Sequence, residues 1–533
     1  MNITTASNAR TCWLLACLGC VGLACAARLY HVTHAVLWLD EAYSVTLASM
    51  PLAQIILHTA RDVHPPLYYL LLHFWMDAFG NSLLAVRGMS VFFGCLTVAV
   101  AIRITTLLAT RSVALIAGIL LALLPVAVRY SQEARMYALT GFLLLAATLM
   151  LMHWAIQPGR LRYLFGYGLL MTAALYSHYF SMLAVASHWL YVLLCNDKHG
   201  KQLIYSRAWW ICNVLIAFGY VPWLPSLWGQ LGHTEWVSWV PKVTLQTLPS
   251  TLWLFFALGA GEDYSHWLFW LTPLVIVGAS LSVVASDRHP SKPTALILST
   301  SYVPLLLAWL GSYSFSLYMI RYLSFAANGM PILMALSLAR FAARTRVWLL
   351  ALLVCLTWQG VGLNRLYNEE SNLNGWTDWR RIRLDVVVDK LNQQWQVGDV
   401  IVVDGAFWYY TVQYYNKAGR EVLIYQEGEQ ADNSGRLASS FGWRSLYYPK
   451  SEQILIADVN TLTSRFARIW WVGVGADPSV GQRLPNTWHL KEILRGGLAH
   501  ASLFILANPG VPQAAASLCG SKLSARAICH MRE

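Results

Sequence analysis

Eleven apolar runs fill the part of this sequence before residue 365, near 11–30, 83–108, 112–128, 136–156, 163–177, 180–195, 208–224, 265–285, 294–312, 322–340 and 347–364. Crossing roughly 30 Å of hydrocarbon takes about 20 apolar residues in a helix, and lipid leaves no backbone group free to stay unsatisfied. The runs therefore predict a mainly α-helical, polytopic membrane domain over 1–365 with about 11 transmembrane helices. A further run at 251–261 is too short to cross and reads as interfacial or re-entrant. Only 12% of the residues are charged, against about 25% in soluble domains.

From residue 366 the composition becomes that of a soluble domain. An amphipathic helix is expected over 379–394, and short strands over 399–404, 421–425, 454–457, 469–474 and 502–506, several of them buried on both faces. This alternation predicts a small α/β domain over 366–510, followed by a flexible tail over 511–533. No glycine-rich loop opens a helix after any of these strands, which argues against a nucleotide site.

Orientation follows from the short loops. Thirteen Lys and Arg residues fall on one side and seven on the other, with the richer side cytoplasmic by the positive-inside rule. The N-terminus is then cytoplasmic and the C-terminal domain extracytoplasmic, as in an integral inner (plasma) membrane protein. Arg10 precedes the first span, which reads as a retained anchor and not as a cleaved signal. The net charge of +12 lies in scattered loop anchors and a basic tail, with no clustered basic face, so no nucleic-acid partner is expected. Of the ten cysteines, eight fall in or beside apolar spans, where they act as small hydrophobes. Cys519 and Cys529 lie in the tail, where an oxidising compartment would let them pair.

The charged residues between spans carry the chemistry. By parity, five clusters belong to the same exported side and suggest a shared cavity. Asp40-Glu41 follows the first span, and adjacent carboxylates suit a base or a divalent cation. His64-Pro65-Pro66, preceded by Asp62 and followed by Leu67-Tyr68-Tyr69, holds an imidazole at a fixed helix start. Arg129 and Arg135 flank Glu133, and these groups must face water, one another or an anionic ligand. Ser177-His178-Tyr179 and Arg321-Tyr322 complete the set. Taken singly, each has a plain structural reading: a solvated loop pair, a helix-start turn, a snorkelling arginine, an aromatic belt. Together, His64, Arg135 and Arg321 suit one phosphate, with Asp40 facing the reaction partner. The segment 31–82 also contains two stretches, 41–60 and 67–79, that suit helices lying in the interface plane.

These residues resemble a known family. Trp38-x-Asp40-Glu41, Asp62-x-His64-Pro-Pro-Leu-Tyr-Tyr69, the run Tyr130–Leu139, Ser177-His-Tyr-Phe180 and Arg321-Tyr-Leu323 are similar, in motif order, to membrane glycosyltransferases of the C-type fold. The relevant branch holds the protein O-mannosyltransferases and the lipid A aminoarabinose transferases. The resemblance covers 1–365 and, more loosely, the start of the soluble part at 376–380. It implies an inverting transferase that moves a sugar from a polyprenyl-phosphate donor to a lipid, glycan or protein acceptor on the non-cytoplasmic face. It implies Asp40 as catalytic base with Glu41 beside it, and His64, Arg135, Arg321 and Tyr322 on the donor phosphate. His64 stands where some relatives carry lysine. Asp62, Tyr69, Arg129, Glu133, His178 and Tyr179 are further cavity candidates, and any metal would sit on Asp40 and Glu41.

Two other classes compete. A transporter or flippase of a lipid-linked or anionic substrate predicts ionisable residues near the middle of the spans. Apart from Arg103, the spans are nearly free of charge. An exported binding or sensing domain would need one or two anchoring helices, not eleven.

Overall fold

The computed structural model describes residues 3–197, 200–232, 240–259, 266–340, 345–369, 381–417, 419–425, 442–446, 450–475 and 484–507. The chain forms two compact units: residues 1–35 with 47–379, and residues 36–46 with 380–533. The segment 36–46 thus groups with the C-terminal residues, although it lies between membrane helices in sequence. The 376–380 motif, Cys519, Cys529 and the 511–533 tail lie outside the described residues.

Each of the eleven expected spans coincides with helix. Among the described residues, seven helices are long and apolar enough to cross a membrane: Asn8–Leu29, Leu83–Leu108, Tyr137–Ile156, Arg207–Leu231, Pro293–Gly311, Ile320–Arg340 and Arg346–Tyr367. An eighth arises if Arg111–Ala122 and Pro125–Ser131 are one span, bent by 58°. Proline at the first position of the second piece accounts for the break, because it donates no backbone hydrogen bond and crowds the preceding turn. Ser181–Leu194 and Phe269–Ala285 are shorter apolar helices, and Leu161–Ser177 has 17 residues. Thr247–Ala257, the expected interfacial or re-entrant stretch, is an 11-residue apolar helix. The segment 31–82 carries helices Leu39–Ala48, Leu52–Ala60 and Leu67–Phe79. The chain is an integral membrane protein.

Several buried polar groups inside the helical unit find partners close by, as a low-dielectric interior favours. Arg28, buried near the end of the first helix, donates to the carbonyls of Ala24 (3.1 Å) and Ala122 (2.9 Å) and to Ser131 Oγ (3.2 Å). Gly94 makes room for this contact, since a Cβ there would collide with Ser131 Oγ and the Arg28 guanidinium. Gln132 Nε2 donates to the Arg28 and Tyr30 carbonyls at 3.0 and 2.7 Å. The end of the bent span is thereby fastened to the end of the first helix. Deeper in the bundle, His188 joins three helices through Thr148 Oγ1 (3.1 Å) and the Tyr167 hydroxyl (3.3 Å).

Among its described residues the second unit has six strands: β1 (Asp399–Asp404), β2 (Val422–Tyr425), β3 (Leu455–Ile456), β4 (Arg468–Val474), β5 (Trp488–Gly496) and β6 (Ala499–Leu506). Their order is β3-β2-β1-β4-β6-β5, with the first four parallel and β6 and β5 antiparallel. The parallel strands read as apolar runs because both faces are covered. One face packs Val400, Val402, Leu423, Ile469, Trp471 and Phe504 into a core. Helix Leu384–Gln394 buries Leu384, Val387, Val388 and Leu391, the spacing of one helical stripe. The β5–β6 turn uses Gly497 at φ 64°, where a Cβ would strike the Arg381 carbonyl. The expected α/β domain is present. Strand β5 lies outside the expected strands; it is an edge strand whose residues 489–492 are exposed.

Candidate functional site

Four chain turns in the helical unit place the cationic and aromatic candidates. Pro65 and Pro66 precede helix Leu67–Phe79, so His64 sits immediately outside a helix start whose φ values proline fixes. After the 58° bend, a short connection delivers Arg135 to the beginning of helix Tyr137–Ile156. Helix Leu161–Ser177 stops where His178 turns extended (φ −158°, ψ 134°), and the next helix begins at Ser181. Arg321 and Tyr322 lie in the four-residue helix Ile320–Leu323, which tightens into a 3-10 stretch over Ser324–Gly329.

These turns bring the side chains together. The His64 and His178 rings lie 5.5 Å apart, and Tyr322 lies 6.1 Å from the first and 5.0 Å from the second. Tyr137 approaches His178 at 6.2 Å and Tyr322 at 6.4 Å. The Arg321 guanidinium stands 5.6 Å from the centre of the Tyr322 ring, and Arg135 Nη1 donates to the Tyr69 hydroxyl at 3.2 Å. His64, His178, Arg135 and Arg321 are all buried, while Tyr322 is half-buried.

Electrostatics make the two imidazoles neutral. Burial pushes His64 well below its ordinary value, and the Arg135 charge, the neighbouring His178 ring and, more weakly, the Arg321 charge push in the same direction. A weak contact with the Val63 backbone opposes them without reversing the shift. Burial, Arg135 and Arg321 push His178 down to about 3. The arrangement is two arginines and two uncharged imidazoles among tyrosines, chemistry suited to an anion of low charge such as a phosphate.

Other candidates are engaged elsewhere. Arg129 forms an ion pair with Glu133 at 2.6 Å. The Tyr179 hydroxyl accepts from Trp223 Nε1 at 3.0 Å and donates to Gln230 Oε1, while Gln230 Nε2 donates to the carbonyls of Thr59 (2.9 Å) and Ala60 (3.2 Å). Tyr179 therefore ties two segments of the unit together. Burial pushes its pKa up to about 12; the Trp223 hydrogen bond opposes this and the charge of buried Asp62 adds to it. Tyr137 and the Phe180 backbone also belong to the cluster, although their motifs assign them no role. The signal for Tyr137 was its place two residues after Arg135.

Asp40 and Glu41 belong to the other unit, within 36–46. They occupy the first turn of helix Leu39–Ala48, where carboxylates complement the helix dipole. Glu41 is fully buried and Asp40 half-buried. Ser44 Oγ donates to the Asp40 carbonyl at 2.7 Å, and the Tyr43 ring packs 5.9 Å from Tyr410. Among the described residues, no group of three or more His, Cys, Asp or Glu side chains is placed to hold a metal ion.

Residues 63–226 match the family model of dolichyl-phosphate-mannose-protein mannosyltransferases. The fold is that of ArnT from Cupriavidus metallidurans in the apo state, with a TM-score of 0.64 at 13% identity over 95% of this chain and 100% of that one. The same protein bound to undecaprenyl phosphate aligns with a TM-score of 0.57 at 13% identity, over 92% and 98% of the two chains. The archaeal oligosaccharyltransferase AglB from Archaeoglobus fulgidus, in complex with an inhibitory peptide and a dolichol-phosphate, aligns at 0.52 with 12% identity, over 87% and 69%. No curated protein matches the chain by sequence. The likeness to these solved structures establishes the C-type glycosyltransferase fold, and the described helices and C-terminal sheet agree with it.

Proposed function

We propose that this protein is an inverting glycosyltransferase that moves a sugar from a polyprenyl-phosphate donor to an acceptor on the non-cytoplasmic face of the membrane. The observation that carries this reading is the meeting of His64, His178 and Tyr322 beside Arg135 and Arg321. Four separate turns of the chain contribute to that cluster, and buried cations are retained at a cost that function justifies. The family match over 63–226, and the lipid phosphates carried by two proteins of like fold, support a prenyl phosphate as the anion.

In the reaction, an acceptor hydroxyl or amine attacks the anomeric carbon as the bond from that carbon to the phosphate oxygen breaks. The bonding electrons remain on the oxygen, and the product is a prenyl phosphate with one more negative charge. Arg135 and Arg321 stabilise that charge as it develops, with Tyr322 and His64 as hydrogen-bonding groups. Asp40 takes the acceptor proton, and Glu41 shapes its surroundings. General-base assistance of this kind is worth about 10²–10⁴-fold. The N-terminus lies in the cytoplasm and residues 366–510 outside it, so the sugar is delivered to the cell envelope.

The test separates chemistry from binding. Asp40→Asn is expected to abolish sugar transfer while leaving undecaprenyl phosphate affinity within about threefold of wild type, because a base acts on the acceptor and not on the phosphate. Near-normal transfer by this variant would refute the assignment.

A further inference from the structure

We propose that His178 is a neutral hydrogen-bond donor to the substrate's phosphate, and that the Phe180 main chain selects the ring nitrogen that carries the proton. The inference rests on the phosphate reading of the cluster and adds to it a residue whose motif gave no role.

The Phe180 backbone N–H donates to His178 Nδ1 at 3.1 Å. A nitrogen that accepts a hydrogen bond carries no proton, so in the neutral ring the proton resides on Nε2. That assignment follows from the partner, since both tautomers have the same heavy atoms. Nδ1 is turned toward the chain's own backbone. Nε2, at the outer end of the ring, is buried and meets no hydrogen-bond partner among the described residues. His178 is 4% exposed, and its ring neighbours are His64, Tyr137, Phe180 and Tyr322. A buried donor without an acceptor is costly, and groups of this kind mark places where a ligand supplies the missing partner. His64 adds a second case, for neither of its ring nitrogens has a well-formed hydrogen bond.

The acceptor must be anionic or strongly polar, because Arg135 and Arg321 set a positive potential at both rings. That same potential, with burial, keeps His178 uncharged throughout the physiological range. Its contribution is therefore directional and does not titrate near neutrality, whereas the arginines supply the charge. A phosphate oxygen matches this division, accepting one neutral N–H bond besides its charge-assisted bonds. The two-residue turn from His178 to Phe180 thus sets the direction of a donor from the main chain, as a side chain does in many histidine sites.

The experiment measures undecaprenyl phosphate binding to the full-length protein in detergent, for wild type, His178→Gln, His178→Phe and Arg321→Met. Glutamine places an amide N–H near the position of Nε2, whereas phenylalanine keeps the ring and loses the donor. We expect His178→Phe to weaken binding about tenfold or more and His178→Gln to stay within about threefold. Tolerance of phenylalanine with loss on glutamine substitution would mean that the ring only packs, and would overturn the inference. Unchanged binding by Arg321→Met would instead remove the phosphate reading itself. Should His178→Phe fail to fold, nitrogen NMR of histidine-labelled wild-type protein decides. An Nε2–H signal that moves on adding undecaprenyl phosphate, and not on adding undecaprenol, supports the assignment; an Nδ1–H tautomer contradicts it.

Discussion

Arg129 and Glu133 meet at 2.6 Å within the connection that delivers Arg135 to the cluster, and Glu133 is 1% exposed. Breaking a buried pair strands a charge, at about 3–5 kcal/mol. Arg129→Met is therefore expected to lower the thermal midpoint clearly, and the double variant Arg129→Met/Glu133→Gln to recover most of the loss. Equal melting of wild type and Arg129→Met would show that the pair does not stabilise this connection.

Tyr69 holds Arg135 through its hydroxyl at 3.2 Å. Tyr69→Phe removes one hydrogen bond to a charged group. Undecaprenyl phosphate affinity is expected to fall about tenfold, and that of Arg135→Met further still. Equilibrium binding to the purified variants checks this order. A Tyr69→Phe variant weaker than Arg135→Met would contradict it.

Acid sensitivity follows from the two buried imidazoles. His64 lies well below its ordinary value of 6.5 and His178 at about 3, in each case chiefly through burial and Arg135. Between about pH 3 and 6.5 the unfolded chain then binds more protons than the folded one, so stability rises with pH through that window. The loss on acidification is at most about 1.4 kcal/mol per pH unit for each imidazole. Thermal midpoints should be level from pH 7 to 8 and fall from pH 6.5 to 5, with a shallower slope in His178→Gln. A midpoint that rises on acidification would contradict the neutral assignment.

In the second unit, Asp399 starts β1 and accepts from Arg468 Nε (2.6 Å), Trp470 Nε1 (2.9 Å) and the Gln396 N–H (3.0 Å). These bonds fasten β1 to β4 at the centre of the sheet. Asp399→Ala leaves the Arg468 charge and a buried indole N–H unmatched, at about 3–5 kcal/mol. Limited proteolysis of the full-length variant should cut within 380–507 at conditions where wild type resists. Equal resistance would show that the contact is dispensable.

The helices were legible because runs of 15 or more apolar residues admit few structures other than a buried or membrane helix. The parallel strands were legible for a similar reason, since Val400, Ile401, Val402 and Val403 form an unbroken apolar run. Strand β5 was not, because an edge strand with exposed Lys491 and Glu492 carries no clear period. The grouping of 36–46 with the C-terminal residues is tertiary and leaves no local mark. At the site, the Arg129–Glu133 pair was readable from its spacing of four, one of the outcomes the charged loop allowed. Tyr137 and His178 were harder, because aromatic residues at helix ends also form interfacial belts. Only the distances between separate turns distinguish a cluster from a belt.

The most direct test of the central claim is mass spectrometry of envelope lipids, glycans and proteins from cells producing either the wild-type chain or Asp40→Asn at equal levels. One class of molecule should be heavier by the mass of a single sugar in wild-type cells, and the increment should be missing in the variant. Identical spectra in all three classes would contradict the account.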